Sequence, residues 1–171
     1  MNRAHRVLVA ASAALFIGTL TFAVHAQDTP QPILACIANG TKVRHTYIEH
    51  PDPAKLKEAV RLYENKVAGG EYPEGTIIRM IPGEAMIKRS PSAFPGTNGW
   101  EYFALAVTPE GTTVRARGDQ ASNRLGTCQS CHAGAAKTSD YICGGGSGCP
   151  TVPLTEEQIA MLQKNDPRCP K

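Results

Sequence analysis

The spacing of apolar residues changes several times along the chain, and each change marks an element. Leu56, Ala59, Val60, Tyr63 and Val67 recur at intervals of three and four, which is the stripe of an amphipathic helix. Asp52 can cap its start, Pro53 suits the first helical position, and Gly69-Gly70 ends it. The period then shortens. Residues 76–81 and 84–89 are short β-branched or alternating runs hinged at Pro82-Gly83, which predicts a hairpin. A Ser-, Pro-, Gly- and Asn-rich loop over residues 90–99 leads into Trp100-Glu-Tyr-Phe-Ala-Leu-Ala-Val107, a largely buried strand.

Within that strand Trp100 and Tyr102 fall on one face and Phe103 on the other. Pro109-Glu110-Gly111 turns the chain into a further antiparallel strand over 112–117, with Thr113, Arg115 and Arg117 on one side and Thr112, Val114 and Ala116 on the other. Near the end, Thr155 and Gln158 form a capping box ahead of a helix reaching Lys164, with Ile159 and Leu162 expected to face inward. Strands in the middle and helices towards both ends make the fold class α+β, an antiparallel sheet with flanking helices.

The first 26 residues stand apart. Arg3 and Arg6 precede an apolar run of about 17 residues from Val7 to Ala23, and Val24-His25-Ala26 supplies small residues for cleavage. The segment reads as a secretory signal cut after Ala26. A membrane anchor is the alternative, but the run is short for a span and carries Ser12, Gly18, Thr19 and Thr21. Export to the periplasm leaves residues 27–171 as one domain of 145 residues, with 16 basic and 15 acidic side chains. Nothing in that near-balance points to nucleic acid.

Export also changes how the six cysteines are read, because disulfides persist outside the cytoplasm. Residues 128–132 spell Cys-Gln-Ser-Cys-His. Two thiols three positions apart can add across the two vinyl groups of one haem while the adjoining imidazole ligates the iron, which is the c-type attachment pattern. Cys128 and Cys131 would form the thioethers, and His132 would be the axial iron ligand. A redox dithiol, half of a zinc site and structural cysteines are the alternatives. A dithiol usually opens a helix in a βαβ unit, whereas this pair follows strand-like sequence, and Cys143 and Cys149 would complete a zinc site only with odd spacing. Four cysteines remain, Cys36, Cys143, Cys149 and Cys169, which allow three pairings. A local Cys143–Cys149 bridge across the Gly-rich segment is favoured, with Cys36 tied to Cys169, and crossed pairings stay open.

Haem folds separate on where the motif sits. Only 39 residues follow His132, unlike the near-N-terminal motif of a mitochondrial-type cytochrome c, and the predicted strands do not belong in the four-helix bundle of cytochromes c′. Tyr72-Pro-Glu-Gly-Thr-Ile-Ile, Ala85-Met-Ile-Lys-Arg, Gly99-Trp-Glu-Tyr-Phe and Cys128-x-x-Cys-His132 followed by Ser139-Asp-Tyr-Ile succeed one another over about residues 40–143. In that order and spacing the chain resembles the cytochrome P-460 and cytochrome c′-beta family. The resemblance implies one covalent haem c per chain, five-coordinate high-spin iron, frequently a homodimer, and reactions with hydroxylamine or nitric oxide.

The same resemblance directs attention to lysine, since in the hydroxylamine-oxidising branch a lysine is additionally bonded to the macrocycle. Lys88 is the first candidate, followed by Lys42 and Lys66. An ordinary exposed strand-edge cation is the plainer reading of Lys88. The matching strand after Tyr72-Pro-Glu-Gly reads Ile77-Ile78-Arg79, where many relatives have lysine. Glu84 is the candidate proton acceptor, Trp100 a candidate wall of the haem site, and Arg44 or Arg79 a hydrogen-bond partner on the ligand side. His45, His50, Met80, Met86 and Met161 are the remaining potential sixth ligands, and each has an ordinary structural reading. A periplasmic electron carrier, docking on a redox partner protein, is the competing function.

Overall fold

The computed structural model describes residues 30–65, 68–144 and 147–171; the expected signal segment, Lys66 and Val67 lie outside them. Six strands form one antiparallel sheet in chain order: β1 (Thr41–Val43), β2 (Thr46–Glu49), β3 (Ile77–Arg79), β4 (Glu84–Lys88), β5 (Trp100–Thr108) and β6 (Gly111–Arg117). A short helix α1 (Gln31–Leu34) precedes the sheet, and α2 (Pro53–Asn65) bridges β2 and β3. A two-stranded hairpin, β7 (Ser122–Asn123) with β8 (Gly126–Thr127), then leads into α3 (Cys128–His132), α4 (Ala136–Ser139) and α5 (Glu156–Lys164). None of the described helices is long and apolar enough to cross a membrane.

Pairing fixes which side chains share a face. Ile78 lies opposite Met86, Met86 opposite Tyr102, and Lys88 opposite Trp100, so these residues line one side of the sheet. With Val43, Ile48, Ala59, Leu62, Tyr72, Ala121, Cys128 and Ile142 they form the larger apolar cluster. On the reverse side Ile77, Ala85, Ile87, Phe103 and Leu105 meet Ile33 of α1. A bulge between Ala104 and Leu105 shifts the register against β6 and adds local twist.

Local signals explain most of these elements. The Asp52 carboxylate accepts from Ala54 N–H at 2.8 Å and caps α2, whose Ala59 and Leu62 are buried on the first face. Burying a leucine of that kind contributes roughly 1.5–3 kcal/mol. Gly99 adopts φ +89°, and a Cβ there would lie 2.3 Å from the Arg89 carbonyl oxygen, so only glycine lets the 90–99 loop enter β5.

Two expectations need correction. Strands β1 and β2 had no periodic signal, yet they extend the sheet beyond β3. In α5 the capping box forms and Ile159 is buried, but Leu162 is 40% exposed while Gln163 is only 5% exposed. Gln163 turns inward because its Nε2 donates to the carbonyls of His45 and Met80, at 2.8 and 2.7 Å.

Two disulfides close the structure, Cys36–Cys169 and Cys143–Cys149. The first ties chain positions 133 residues apart. The second closes a short loop, and Gly148 within it packs backbone to backbone on the turn after His132: a Cβ at Gly134 would lie 2.2 Å from the Gly148 carbonyl oxygen.

Candidate functional site

The first face of the sheet, α3 and the segment after α4 converge on His132. Thr127 accepts from Ser130 N–H at 3.1 Å and caps α3, so that Cys128, Cys131 and His132 occupy little more than one turn. Cys128 is buried and Cys131 half-buried; both are free thiols. Burial, then the nearby Glu84 carboxylate and Cys131, push the Cys128 thiol up to about 11. A redox dithiol works in the opposite direction, by stabilising thiolate. Cys143 and Cys149 are bonded to each other and offer zinc no thiolate, and among the described residues no three His, Cys, Asp or Glu side chains gather as a cage for a metal ion.

His132 has a defined tautomer. Its Nδ1 lies 2.7 Å from the Tyr141 carbonyl oxygen, which can only accept, so Nδ1 carries the proton and Nε2 presents a lone pair. Burial holds the imidazole below its ordinary pKa, partly opposed by the Tyr141 carbonyl and the Glu84 charge, and the neutral ring is the form that binds a metal. The Tyr102 ring stands beside it, centroids 5.1 Å apart.

Two buried polar groups of this face have no partner, the Trp100 indole Nε1 and the Tyr102 hydroxyl. Trp100 is fully buried and Tyr102 2% exposed, so each lacks water as well. Such groups usually find hydrogen bonds, and leaving one unmade costs about 1–3 kcal/mol. Burial also raises the Tyr102 phenol, which therefore stays protonated as a donor. Both residues line an open-sided cavity of about 200 Å³ together with Phe94, Thr97, Asp119 and Gln129, beside His132 and the two thiols, which do not line it. Unpartnered donors, a neutral imidazole with a free lone pair and two reduced thiols are the features that a polar-edged, iron-bearing macrocycle would use.

Lys88 is 4% exposed and lies in an interior strand, which overturns its reading as an exposed strand-edge cation. Its Nζ donates to both Asp140 carboxylate oxygens at 2.9 and 2.7 Å and sits 5.4 Å from the Trp100 ring centroid. Asn98 Nδ2 and Tyr72 N–H complete the carboxylate's coordination, at 2.8 and 3.0 Å. Glu84 and Lys88 share the face without meeting. Glu84 accepts from Asn123 at 2.8 Å near the thiols, while Lys88 belongs to the Asp140 end.

Other candidates are placed elsewhere. Arg79 was expected near the ligand side, but its register opposite Tyr47 puts it on the reverse face, where it binds the Ala35 carbonyl at 2.9 Å and pairs with Glu49. Arg44 sits exposed in the β1–β2 turn at φ 56°. Lys42 is exposed and, opposite Tyr47, also belongs to the reverse face.

Neither His45 nor His50 stands at the site. His50 uses both ring nitrogens, accepting from Asp52 N–H and donating to the Glu74 carbonyl, each at 2.9 Å. His45 is half-exposed and 3.9 Å from Glu156. Among the methionines, Met161 is exposed and Met80 half-buried, whereas Met86 is buried on the site face opposite Tyr102.

Sequence reasoning passed over Asp140 and Tyr141 as site residues. Both fall in the Ser139-Asp-Tyr-Ile stretch that carries the resemblance, but their roles depend on partners 52 and 9 positions away, and no period marks those separations. Comparison with models of protein families, with curated proteins and with solved structures finds no match, so the site stands on its own geometry.

Proposed function

We propose that this chain is an exported, mono-haem c protein of the cytochrome P-460 and cytochrome c′-beta kind, taking a small nitrogen species at an iron whose second axial position is open or weakly held. The observation that carries the reading is the His132 Nδ1–H bond to the Tyr141 carbonyl, directly after two free thiols at haem-attachment spacing. That bond directs the Nε2 lone pair outward from the peptide, as an axial ligand requires. Cys128 and Cys131 would hold the ring through thioethers, and Trp100 Nε1 and Tyr102 OH would donate to polar atoms of the ring or of a ligand beside it. The haem supplies a redox-active iron with a coordination position for the ligand.

This chain's own residues do the rest. Glu84, whose charge reaches both Cys128 and His132, is the carboxylate suited to accept protons from a nitrogen substrate. The cavity of about 200 Å³ is smaller than the ~300–1,000 Å³ of typical ligand sites. A macrocycle reaching from this cavity to His132 needs more room than the cavity alone provides.

Capture of nitric oxide is favoured over hydroxylamine turnover by the position of Lys88. An ammonium shared between two carboxylate oxygens has no lone pair to give to a ring carbon. A second reading, the periplasmic electron carrier, has one observation behind it: of the candidate methionines, Met86 is the one buried on the site face.

The test is titration of the haem-bearing protein with nitric oxide and with hydroxylamine, followed by absorption. A high-spin spectrum that nitric oxide shifts and hydroxylamine leaves without turnover supports gas capture. Hydroxylamine oxidation together with a lysine peptide joined to haem moves the protein to the enzymatic branch. A low-spin spectrum unmoved by either, and turned high-spin by Met86→Ala, leaves electron transfer.

A further inference from the structure

The Lys88–Asp140 pair is buried at both ends and far from any solvent that would make it inexpensive to form. A pair of this kind is a poor source of stability, since desolvation offsets most of its attraction. Its value lies in what it fixes. Asp140 ends α4 in the left-handed conformation, φ 49°, and Tyr141 continues it at φ 64°. Aspartate tolerates that region, but for tyrosine it is strained, so the second left-handed residue needs holding from outside. The two together reverse the chain and aim the Tyr141 carbonyl at His132 Nδ1.

We infer that Asp140, clamped by Lys88, is a positioning residue for His132: the ion pair holds the Tyr141 carbonyl on Nδ1 and so sets the tautomer and electron donation of the imidazole. Its electron-donating consequence rests on the haem reading, whereas the tautomer does not. Four hydrogen bonds saturate the carboxylate, two from Lys88 Nζ, one from Asn98 Nδ2 and one from Tyr72 N–H. They join β4, the 90–99 loop and the segment before β3 to the peptide unit that His132 reads. Tyr141 is also held by its own N–H to the Ala135 carbonyl at 3.2 Å and its hydroxyl to the Gly96 carbonyl at 3.0 Å, so loss of the clamp loosens the carbonyl without freeing the residue. A histidine whose Nδ1–H is tightly accepted is a stronger donor at Nε2.

The test uses the full chain and nitrogen NMR of His132. The native protein is expected to show a single Nδ1–H tautomer with slow exchange of that proton. Lys88→Met, and the charge-neutral pair Lys88→Met with Asp140→Asn, should give a mixture of tautomers and faster exchange, while Lys88→Arg restores the native pattern. Should Lys88→Met fail to fold, Asn98→Ala removes one of the four bonds and should move the exchange rate the same way by less.

In haem-bearing protein the same variants should lower the iron–histidine stretching frequency with both thioethers intact. A folded Lys88→Met/Asp140→Asn protein with an unchanged tautomer, exchange rate and stretching frequency, but a lower melting temperature, overturns the inference and leaves a purely structural ion pair. Absence of covalent haem in native protein refutes the haem reading and leaves the tautomer result to decide the positioning role.

Discussion

Both faces of the sheet are buried but finished differently. On the reverse face charges are matched: Glu101 accepts from Arg89 at 2.9 Å and Arg117 at 2.7 Å, Arg79 pairs with Glu49, Asp166 binds Arg168 and the Ile37 N–H, and a disulfide ties Cys36 to Cys169. The face towards α3 holds a lone indole N–H, a lone phenol, two free thiols and a cavity. Arg79 Nε and Thr112 Oγ1 on the reverse face also lack partners, but the two terminal nitrogens of Arg79 are engaged and Thr112 is only half-buried. The reverse face matches its charges with its own residues, whereas the face towards α3 gathers unpartnered uncharged donors and free thiols. The kind of group left unpaired, more than burial, tells the two apart.

The contrast can be broken from either side. The largest effect is expected from Cys36→Ser with Cys169→Ser, because the bridge closes a long loop; loss of about 4 kcal/mol in a denaturant melt is predicted, with the ligand-side spectrum unchanged. Glu101→Gln, which leaves two arginines around a neutral amide, should cost about 3 kcal/mol in the same melt. Opening the short Cys143–Cys149 loop should cost about 2 kcal/mol. Gly148 within that loop packs on the turn after His132, so opening it should also broaden the His132 signals.

Tyr102→Phe sharpens the comparison most, since it changes sign. Removing an unpartnered hydroxyl should stabilise haem-free protein by about 1 kcal/mol, and the gain should vanish once a partner for that hydroxyl is bound. A cost in the haem-free melt would mean that the hydroxyl is already satisfied.

Much of the fold was readable before any coordinates. Alternation and the turns at Pro82-Gly83 and 109–111 marked β3 to β6, and the face assignment of Trp100 and Tyr102 against Phe103 holds. Strands β1 and β2, three and four residues long, were too short to show a period and are defined by their neighbours. In α5, positions 162 and 163 are both compatible with a stripe starting at Ile159. Two carbonyls awaiting an amide decide for Gln163 over a leucine. The favoured cysteine pairing is the one present.

At the candidate site Cys128, Cys131 and His132 were legible because the chemistry proposed for them requires adjacency. Lys88 was legible as a residue to inspect, though not as half of a buried pair, because Asp140 reaches it only through the tertiary fold. The Tyr141 carbonyl was hidden for another reason: a backbone acceptor leaves no trace in residue identity.

The most direct test of the central claim is the denatured mass and tryptic map of the chain matured in a periplasm that contains haem-attachment machinery. The account predicts a mature chain beginning after Ala26, heavier by one haem, with both thioethers on the peptide carrying Cys128 and Cys131 and no lysine peptide joined to the ring. A chain that emerges without haem under those conditions, or with Cys128 and Cys131 joined to each other, would contradict it.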